Sequence, residues 1–286
     1  MYFFMIILCL IWGFNFVVMK LGNDYFPPAE FAAFRFLTGS IVLIIVYLWK
    51  KIPLPKKSDV KWLVLCGIFQ TAYFNVAIQI SLNYIDAGLT SVLTYSMPLF
   101  LSIMAHLWIP SEKLSMKQTL GIMIGIIGLF IAMDVQSGGS FWIMLLGVSS
   151  AVSWAIANVI FKLKLKTSDT VQFTTWQMSI GTIGLFIYTY LFEAGESSWG
   201  TWPIMLILYS GVIASALAFV MWSYILRHTE ASKASIPLLL VPIMGVVCGY
   251  VFLNETLNTV TLFGIALVLL GIWFVNSRAA RKGTTS

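Results

Sequence analysis

The chain is a succession of apolar runs of about twenty residues, the length that an α-helix needs to cross the hydrocarbon core of a bilayer. Short polar connections separate these runs. Lipid offers no partner for unpaired backbone groups, and the runs are too long for barrel strands, so helices are expected. The pattern predicts an all-α integral membrane protein with ten spans: 2–20, 29–49, 61–82, 87–109, 117–134, 140–162, 170–192, 202–226, 231–252 and 258–276.

Composition supports the membrane prediction. Of 286 residues, 59% are hydrophobic and only 10% are charged, whereas soluble domains carry about half and a quarter. The net charge of +6 does not predict a nucleic-acid partner, because the Lys and Arg residues lie in short loops rather than on a binding face. The three cysteines lie inside apolar runs without metal-ligand spacing, so no metal or cofactor is expected.

The positions of the basic residues predict an orientation. If the ten spans cross in alternation, all of the 17 Lys and Arg residues except Lys20 and Arg35 fall on one side of the membrane. The positive-inside rule assigns that side to the cytoplasm. We therefore expect a multi-pass protein of the plasma membrane with both termini in the cytoplasm.

The second half of the sequence repeats the first at a shift of about 142 to 144 residues. Residues 12–20 align with 154–162, and residues 75–98 align with 219–242 without a gap. Further aligned pairs are Arg35 with Gln177, Glu112 with Glu255, Gly121 with Gly264, and Gly128 with Gly271.

This repeat divides the chain into residues 1–136 and 137–286, with five predicted spans in each part. An odd number of spans makes the second part enter the membrane in the opposite sense. The sequence therefore predicts ten transmembrane helices arranged as two inverted five-helix repeats. Such repeats are common in carriers that expose one central site to either side in turn.

Several of these segments resemble a known family. They are W-G-x-N-F at residues 12–16, the run at 83–131, and its counterpart VPIMGVVCGYVFLNETLNTVTLFGIALVLLGIWFV. Together they resemble the EamA-type branch of the drug/metabolite transporter superfamily over essentially the whole chain. The resemblance implies a ten-span carrier, and many members export amino acids or related metabolites from bacteria. Gln177 in place of Arg35 and Ala157 in place of Asn15 break the internal pattern, so the two halves have specialised.

A carrier needs polar groups at bilayer depth that face a cavity rather than lipid. Amide and aromatic side chains one helical turn apart in the first, third, fourth and sixth spans meet this requirement. They form an expected substrate pocket together with an arginine of the second span. The alternatives are hydrogen bonding between helices and plain packing. The candidate residues are Trp12, Asn15, Arg35, Tyr73, Asn75, Gln79, Tyr95, Trp154 and Asn158.

Arg35 is the most costly residue of the predicted spans. Three interpretations are open: it binds a substrate carboxylate, it holds a gate by bonding helix carbonyls, or it snorkels to the outer surface.

Four further residues are gating or structural candidates. Pro98 and Pro242 lie in the fourth and ninth spans, where a proline removes a helix hydrogen bond and favours a kink. Glu112 and Glu255 stand just ahead of the fifth and tenth spans, where a carboxylate is expected to cap a helix N-terminus.

The predicted function is export of amino acids or related small molecules by alternating access. An exporter or translocator of lipophilic drugs or lipids is the alternative, and a receptor or scaffold is a third reading. An enzyme is not expected, because the sequence has neither a nucleophile paired with a base nor a metal motif. The acidic residues fall near span ends, so proton exchange and simple facilitated export are equally compatible with the sequence. The oligomeric state is left open.

Overall fold

The structure is a computed structural model that describes residues 2–109, 113–133, 141–228 and 237–276. Within these ranges the regular elements are all helical. We label the helices α1 (Tyr2–Gly22), α2 (Pro28–Trp49), α3 (Lys57–Tyr84), α4 (Ala87–Trp108), α5 (Met116–Ala132), α6 (Phe141–Leu165), α7 (Thr170–Phe192), α8 (201–228), α9 (Leu240–Leu253) and α10 (Thr259–Asn276).

Seven helices of the described ranges are long and apolar enough to cross a membrane. They are α1, α2, α3, α4, α6, α8 and α10. Helices α5 and α9 are apolar but shorter, and α7 has 23 residues but carries Thr, Gln and Ser along its first half. The prediction of an all-helical membrane protein is therefore confirmed, and seven spans meet the length and composition of a crossing helix.

Four of the helices depart from regular α geometry. Helix α3 contains a π-helical stretch at Gly67–Tyr73, α8 contains one at Tyr209–Leu217, and α6 ends in one at Phe161–Leu165. Helix α4 consists of Ala87–Thr94 and Met97–Trp108, which are separated by a turn just ahead of Pro98. Such π segments inside α-helices are frequently found at functional sites.

The helices pack in a limited set of pairs. Helix α1 lies against α9, and α6 lies against both α3 and α4; α2 packs on α7 and α8, and α3 packs on α7. Helices α4 and α9 form a further pair, and α5 and α10 lie side by side.

Glycine lets α5 and α10 approach to backbone distance. A Cβ atom on Gly121 would lie 2.7 Å from the carbonyl oxygen of Gly271, and one on Gly128 would lie 2.8 Å from that of Gly264. Small residues that permit this approach are typical of helix pairs in lipid, where van der Waals packing replaces the hydrophobic effect.

Apolar and polar side chains are distributed as in a membrane protein. Large apolar side chains such as Leu48, Phe130 and Tyr190 are exposed on the outer surface, whereas Asn15, Asn75 and other polar side chains are buried between helices. This distribution suits a surface in contact with lipid and places the polar chemistry inside the bundle.

Candidate functional site

A small cavity lies between α1, α2, α3, α4, α6 and α8. Its volume of about 40 Å³ is room for a few water molecules. The wall consists of Trp12, Asn15, Phe16, Met19, Arg35, Phe36, Phe74, Asn75, Ile78, Tyr95, Trp154, Ala214 and Phe219. All but three of these side chains are aromatic or aliphatic; the polar atoms of the wall belong to Asn15, Arg35 and Asn75, to the indole N–H groups of Trp12 and Trp154, and to the hydroxyl of Tyr95.

Arg35 lies two turns into α2 and is only 3% exposed. Its guanidinium donates from Nη1 to Ser210 Oγ at 3.3 Å and from Nη2 to Asn75 Oδ1, and it lies 4.7 Å from the centre of the Phe36 ring. Among the described residues no carboxylate forms an ion pair with it. The side chain therefore does not snorkel, and its direct partners are side chains rather than helix carbonyls.

Hydrogen bonds hold Arg35 from both sides of the cavity. Ser210 Oγ accepts from Arg35 and donates to Asn15 Oδ1 at 2.8 Å. Asn75 Nδ2 in turn donates to the carbonyl oxygen of Thr71 at 2.7 Å, within the π-helical stretch of α3. A chain of polar contacts thus joins α1, α8, α2 and α3, and it fixes the guanidinium beside the cavity.

Aromatic rings form the opposite part of the wall. Trp12 meets the rings of Trp154, Tyr95 and Phe219 with centroid separations of 6.2, 6.4 and 5.9 Å. Phe74 lies 5.1 Å from Trp154. The indole Nε1 of Trp12 donates to the carbonyl oxygen of Ala214 at 3.0 Å, which anchors α1 to the π-helical stretch of α8. The contacts of Trp12 with Trp154 and Phe219 are edge-to-face, a favoured arrangement of aromatic rings.

Six of the predicted site residues meet in this cavity wall, and three do not. Tyr73 is exposed on the outer surface, where its hydroxyl bonds Ser149 at 2.8 Å. Gln79 is fully buried and donates to the carbonyl oxygen of Met19 and to Asn23 Oδ1. Asn158 donates to the carbonyl oxygen of Trp154, one turn earlier in the same helix. Gln79 and Asn158 therefore make bonds within the bundle, outside the cavity lining.

Several residues at the cavity were not predicted from the sequence. Ser210 and Ala214 belong to an apolar stretch of α8 with no polar periodicity. Phe219 aligns with Asn75 in the internal repeat, so the repeat contained a signal for its position. The remaining unpredicted wall residues are Phe16, Met19, Phe36, Phe74 and Ile78.

An ion-pair cluster closes the bundle at the end where α1 finishes. Lys20 Nζ lies 2.8 Å from Glu255 Oε1 and 3.7 Å from Asp86 Oδ1. The two oxygens of Glu255 accept the backbone N–H groups of Ala87 and Gly88 at 2.7 and 3.1 Å. Burial, together with the charge of Glu255, raises the pKa of Asp86 above its ordinary value, and Lys20 partly opposes that shift.

Glu255 caps a different helix from the one expected. It was expected to cap α10, directly after it in the sequence, but its carboxylate satisfies the first amides of α4 instead. Asn258 provides the cap of α10, since its Oδ1 accepts the N–H of Thr261 at 2.7 Å. The aligned residue Glu112 lies outside the described residues.

The two proline candidates occupy the first turns of helical segments. Pro98 stands at the start of Met97–Trp108, directly after the break in α4. Pro242 follows the first residues of α9, behind the short 3₁₀ turn Pro237–Leu239. Both positions suit proline, because the first turn of a helix has no use for the missing N–H.

A half-buried carboxylate, unforeseen from the sequence, caps α2. Glu193 accepts the N–H groups of Ala29 and Glu30 at 2.8 and 3.0 Å. Burial raises the pKa of Glu193, and these two hydrogen bonds partly offset the effect.

Comparison with known proteins gives one family. The sequence profile of the EamA-like transporter family matches residues 1–133 and, separately, residues 141–277. The chain is 29% identical over 276 residues to the uncharacterized transporter YoaV of Bacillus subtilis (strain 168), covering 94% of this chain and 93% of that protein.

Two other relatives have names that include a substrate class. A probable amino-acid metabolite efflux pump of Salmonella typhimurium (strain LT2) is 26% identical, over 95% of this chain and 93% of that protein. A protein of the same description from Escherichia coli (strain K12) is 25% identical, over 94% of this chain and 92% of that protein. The fold is also similar to that of a protein of known crystal structure, with a TM-score of 0.69 at 15% identity and 94% coverage of each chain.

Proposed function

Because the chain belongs to the EamA-like transporter family, we propose that it exports amino acids or closely related metabolites from the cell by alternating access. The observation that carries this proposal is Arg35, a buried guanidinium in the cavity wall without an acidic partner among the described residues. A buried charge normally has a counter-ion, and a substrate carboxylate would supply one.

The names of two relatives support the substrate class. The Salmonella typhimurium and Escherichia coli proteins are described as probable amino-acid metabolite efflux pumps. At 26 and 25% identity these names do not extend to a particular compound, so the proposal is limited to the class.

An inverted repeat is part of the proposal. The family profile matches once in each half. An exchange of the two halves replaces each helix from α1 to α5 by its counterpart from α6 to α10, and the reverse. The contact between α1 and α9 then corresponds to the contact between α6 and α4, and the contact between α2 and α8 corresponds to that between α7 and α3. All four of these contacts are present. The π-helical stretch Gly67–Tyr73 likewise corresponds to Tyr209–Leu217 at a shift of 142 in its first residue. These correspondences support ten crossings in two inverted halves.

Transport requires a change of shape from the structure described above. A pocket for a small metabolite usually has a volume of about 300 Å³ or more, whereas this cavity has about 40 Å³. We interpret the structure as a closed state. In the orientation with cytoplasmic termini, the cluster of Lys20, Asp86 and Glu255 closes the outer end, and parting of α1 from α4 and α9 opens it.

The proposed setting is the plasma membrane, with the lipid bilayer around the apolar surface and a small molecule in the cavity. No nucleic-acid partner is proposed.

Export from intact cells tests the function. Bacteria that express the wild type or Arg35→Gln, and bacteria that carry the empty vector, are loaded with metabolites. Amino acids and their derivatives are then measured inside the cells and in the medium by mass spectrometry. Lys56→Gln, in a connection on the expected cytoplasmic side, is the matched control for loss of a positive charge. We expect the wild type and Lys56→Gln to raise the outside concentration of at least one compound of this class, and Arg35→Gln to abolish the effect.

The alternative function is export or translocation of lipophilic drugs or lipids. The aromatic wall of the cavity supports it, since such molecules bind aromatic surfaces. Efflux of a lipophilic dye without movement of any amino acid or derivative, unaffected by Arg35→Gln, would favour that alternative and contradict the proposal.

A further inference from the structure

We infer that the cavity selects an organic monocarboxylate whose body is apolar and which has no free ammonium group. Deaminated or N-acylated amino acids are of this class, whereas free zwitterionic amino acids are not. The inference rests on the proposed function, because it narrows the substrate of the same cavity.

The first argument concerns vacant donors. Arg35 Nε and Trp154 Nε1 are buried, and neither has a hydrogen-bond partner among the described residues. Both side chains belong to the cavity wall. A buried donor without an acceptor loses the hydrogen bonds it made to water, and a bound ligand at the cavity could restore them. A ligand that brings acceptor oxygens fits both groups.

The second argument concerns acceptors, which in this wall are neutral oxygens and include no carboxylate. Asn15 Oδ1 accepts from Ser210, Asn75 Oδ1 accepts from Arg35, and the carbonyl oxygen of Ala214 accepts from Trp12. No Asp or Glu belongs to the wall. An ammonium group has three donors and one positive charge, and this cavity would place it near the Arg35 guanidinium, with neutral oxygens and aromatic rings but no carboxylate to pair with it. The wall therefore favours a carboxylate and disfavours an accompanying ammonium.

The third argument concerns total charge and shape. The wall contains one guanidinium and no other charged side chain, so it balances a single negative charge. A dicarboxylate would leave its second charge uncompensated in an apolar environment, at a large desolvation cost. The rings of Trp12, Phe74, Tyr95, Trp154 and Phe219 form the rest of the wall and suit an apolar or aromatic body.

Binding of matched ligands to the full chain tests the inference. The protein is purified in lipid nanodiscs, and affinity is measured by calorimetry for five compounds with the same aromatic body. They are phenylpropanoate and N-acetylphenylalanine (monoanions), phenylalanine (zwitterion), phenylpropanamide (neutral) and phenylsuccinate (dianion). We expect both monoanions to bind at least about ten-fold more tightly than the other three, the scale of one charge-assisted hydrogen bond.

Two variants connect the selectivity to the proposed groups. Arg35→Gln should remove the preference for the monoanions. Trp154→Phe leaves a smaller aromatic ring and removes the donor, so it should weaken the monoanions by about three- to ten-fold and phenylpropanamide by less, because a bond to a carboxylate is stronger than one to a neutral amide. Because Trp154→Phe keeps an aromatic side chain and removes no charge, it remains informative if Arg35→Gln does not fold. Lys56→Gln serves as the control and should match the wild type.

Each contrary outcome has a definite meaning. Equal or tighter binding of phenylalanine, equal binding of phenylpropanamide, or no binding by any of the five compounds overturns the inference. If amino acids nevertheless leave cells in an Arg35-dependent manner, the proposed export function stands, but the proposed selectivity for monocarboxylates does not. If monoanions bind as expected but no compound of the class is exported, the proposed function fails and the binding selectivity stands.

Discussion

Lys20 and Glu255, which are 235 residues apart in the sequence, form a 2.8 Å ion pair that joins the end of α1 to the connection between α9 and α10. Glu255 also binds the first two amides of α4. One carboxylate thus holds three elements together at the same end of the bundle. Its side chain is 7% exposed and that of Lys20 is 29% exposed, so solvent screens the pair only in part.

Removal of Lys20 should therefore destabilise this end. We expect Lys20→Gln to lower the free energy of unfolding by about 1–3 kcal/mol, because a mostly buried carboxylate loses its cation. Thermal unfolding in nanodiscs measures the change. The double variant Lys20→Glu with Glu255→Lys exchanges the two charges. It should not restore stability, since a lysine at position 255 cannot accept hydrogen bonds from the N–H groups of Ala87 and Gly88. Full recovery of stability would show that only the ion pair matters.

Access to the cavity should depend on the same ion pair. A cysteine in place of Asn15, in a chain whose three native cysteines are replaced by alanine, reports on the cavity wall. We expect a membrane-impermeant thiol reagent to label it from either side of the membrane, and Lys20→Gln to accelerate labelling from the outer side. Labelling from one side alone under all conditions would contradict alternating access.

Ser210 should position Arg35. Its hydroxyl joins the guanidinium to Asn15, so Ser210→Ala leaves a buried donor on Arg35 without its acceptor, at a cost of about 1–3 kcal/mol. We expect export to fall by about three- to ten-fold at low substrate concentration. Ser149→Ala, which removes a hydroxyl bond at the outer surface, is the control and should leave export unchanged.

The glycine contacts between α5 and α10 should be sensitive to one added methyl group. Gly121→Ala places a Cβ atom 2.7 Å from the carbonyl oxygen of Gly271, and we expect a loss of about 1–3 kcal/mol in stability. Gly200→Ala is the matched control, because its backbone is extended and its nearest neighbour is 3.7 Å away. An equal effect of the two substitutions on thermal unfolding would show that the helix contact is not the cause.

Glu193 should make stability depend on pH in a definite direction. Burial raises its pKa in the folded state, so the folded protein binds the proton more readily than the unfolded chain. The penalty for ionisation is absent below the ordinary pKa of glutamate and develops as pH rises through the raised value. Thermal unfolding between pH 4 and 8 should show this loss in the wild type and a smaller loss in Glu193→Gln; Asp86 contributes in the same direction.

Much of the cavity wall could be predicted from the sequence, because polar residues at bilayer depth are costly and therefore conspicuous. Trp12, Asn15, Arg35 and Asn75 were chosen on that basis, and the structure brings them together. Ser210 was not predicted, because the internal repeat aligns it with the apolar stretch 66–68 and its neighbours in α8 are apolar. Gln79 has the same chemistry as Asn75, but one further turn along α3 takes it out of the cavity.

The limits of the fold prediction have physical causes as well. Hydrophobicity identifies crossing segments but not their internal geometry. The π-helical stretches of α3 and α8 were therefore not predicted, whereas the break in α4 lies at Pro98, where a kink was expected. Capping was correctly inferred for Glu255 but assigned to the wrong helix. A carboxylate that caps across the bundle leaves no trace in local sequence, because the amides it binds are 168 residues away.

The guanidinium of Arg35 also connects the carrier to the voltage across the membrane. A charge that crosses the whole field gains or loses about 2.3 kcal/mol per 100 mV, and a residue two turns inside α2 experiences a fraction of that. In the proposed cycle a bound monoanion neutralises the charge of Arg35. The membrane potential would then act on the empty site, which is positively charged, and not on the occupied site, which is neutral. In that cycle a potential that is negative inside would favour the return of the empty, positively charged site towards the cytoplasm.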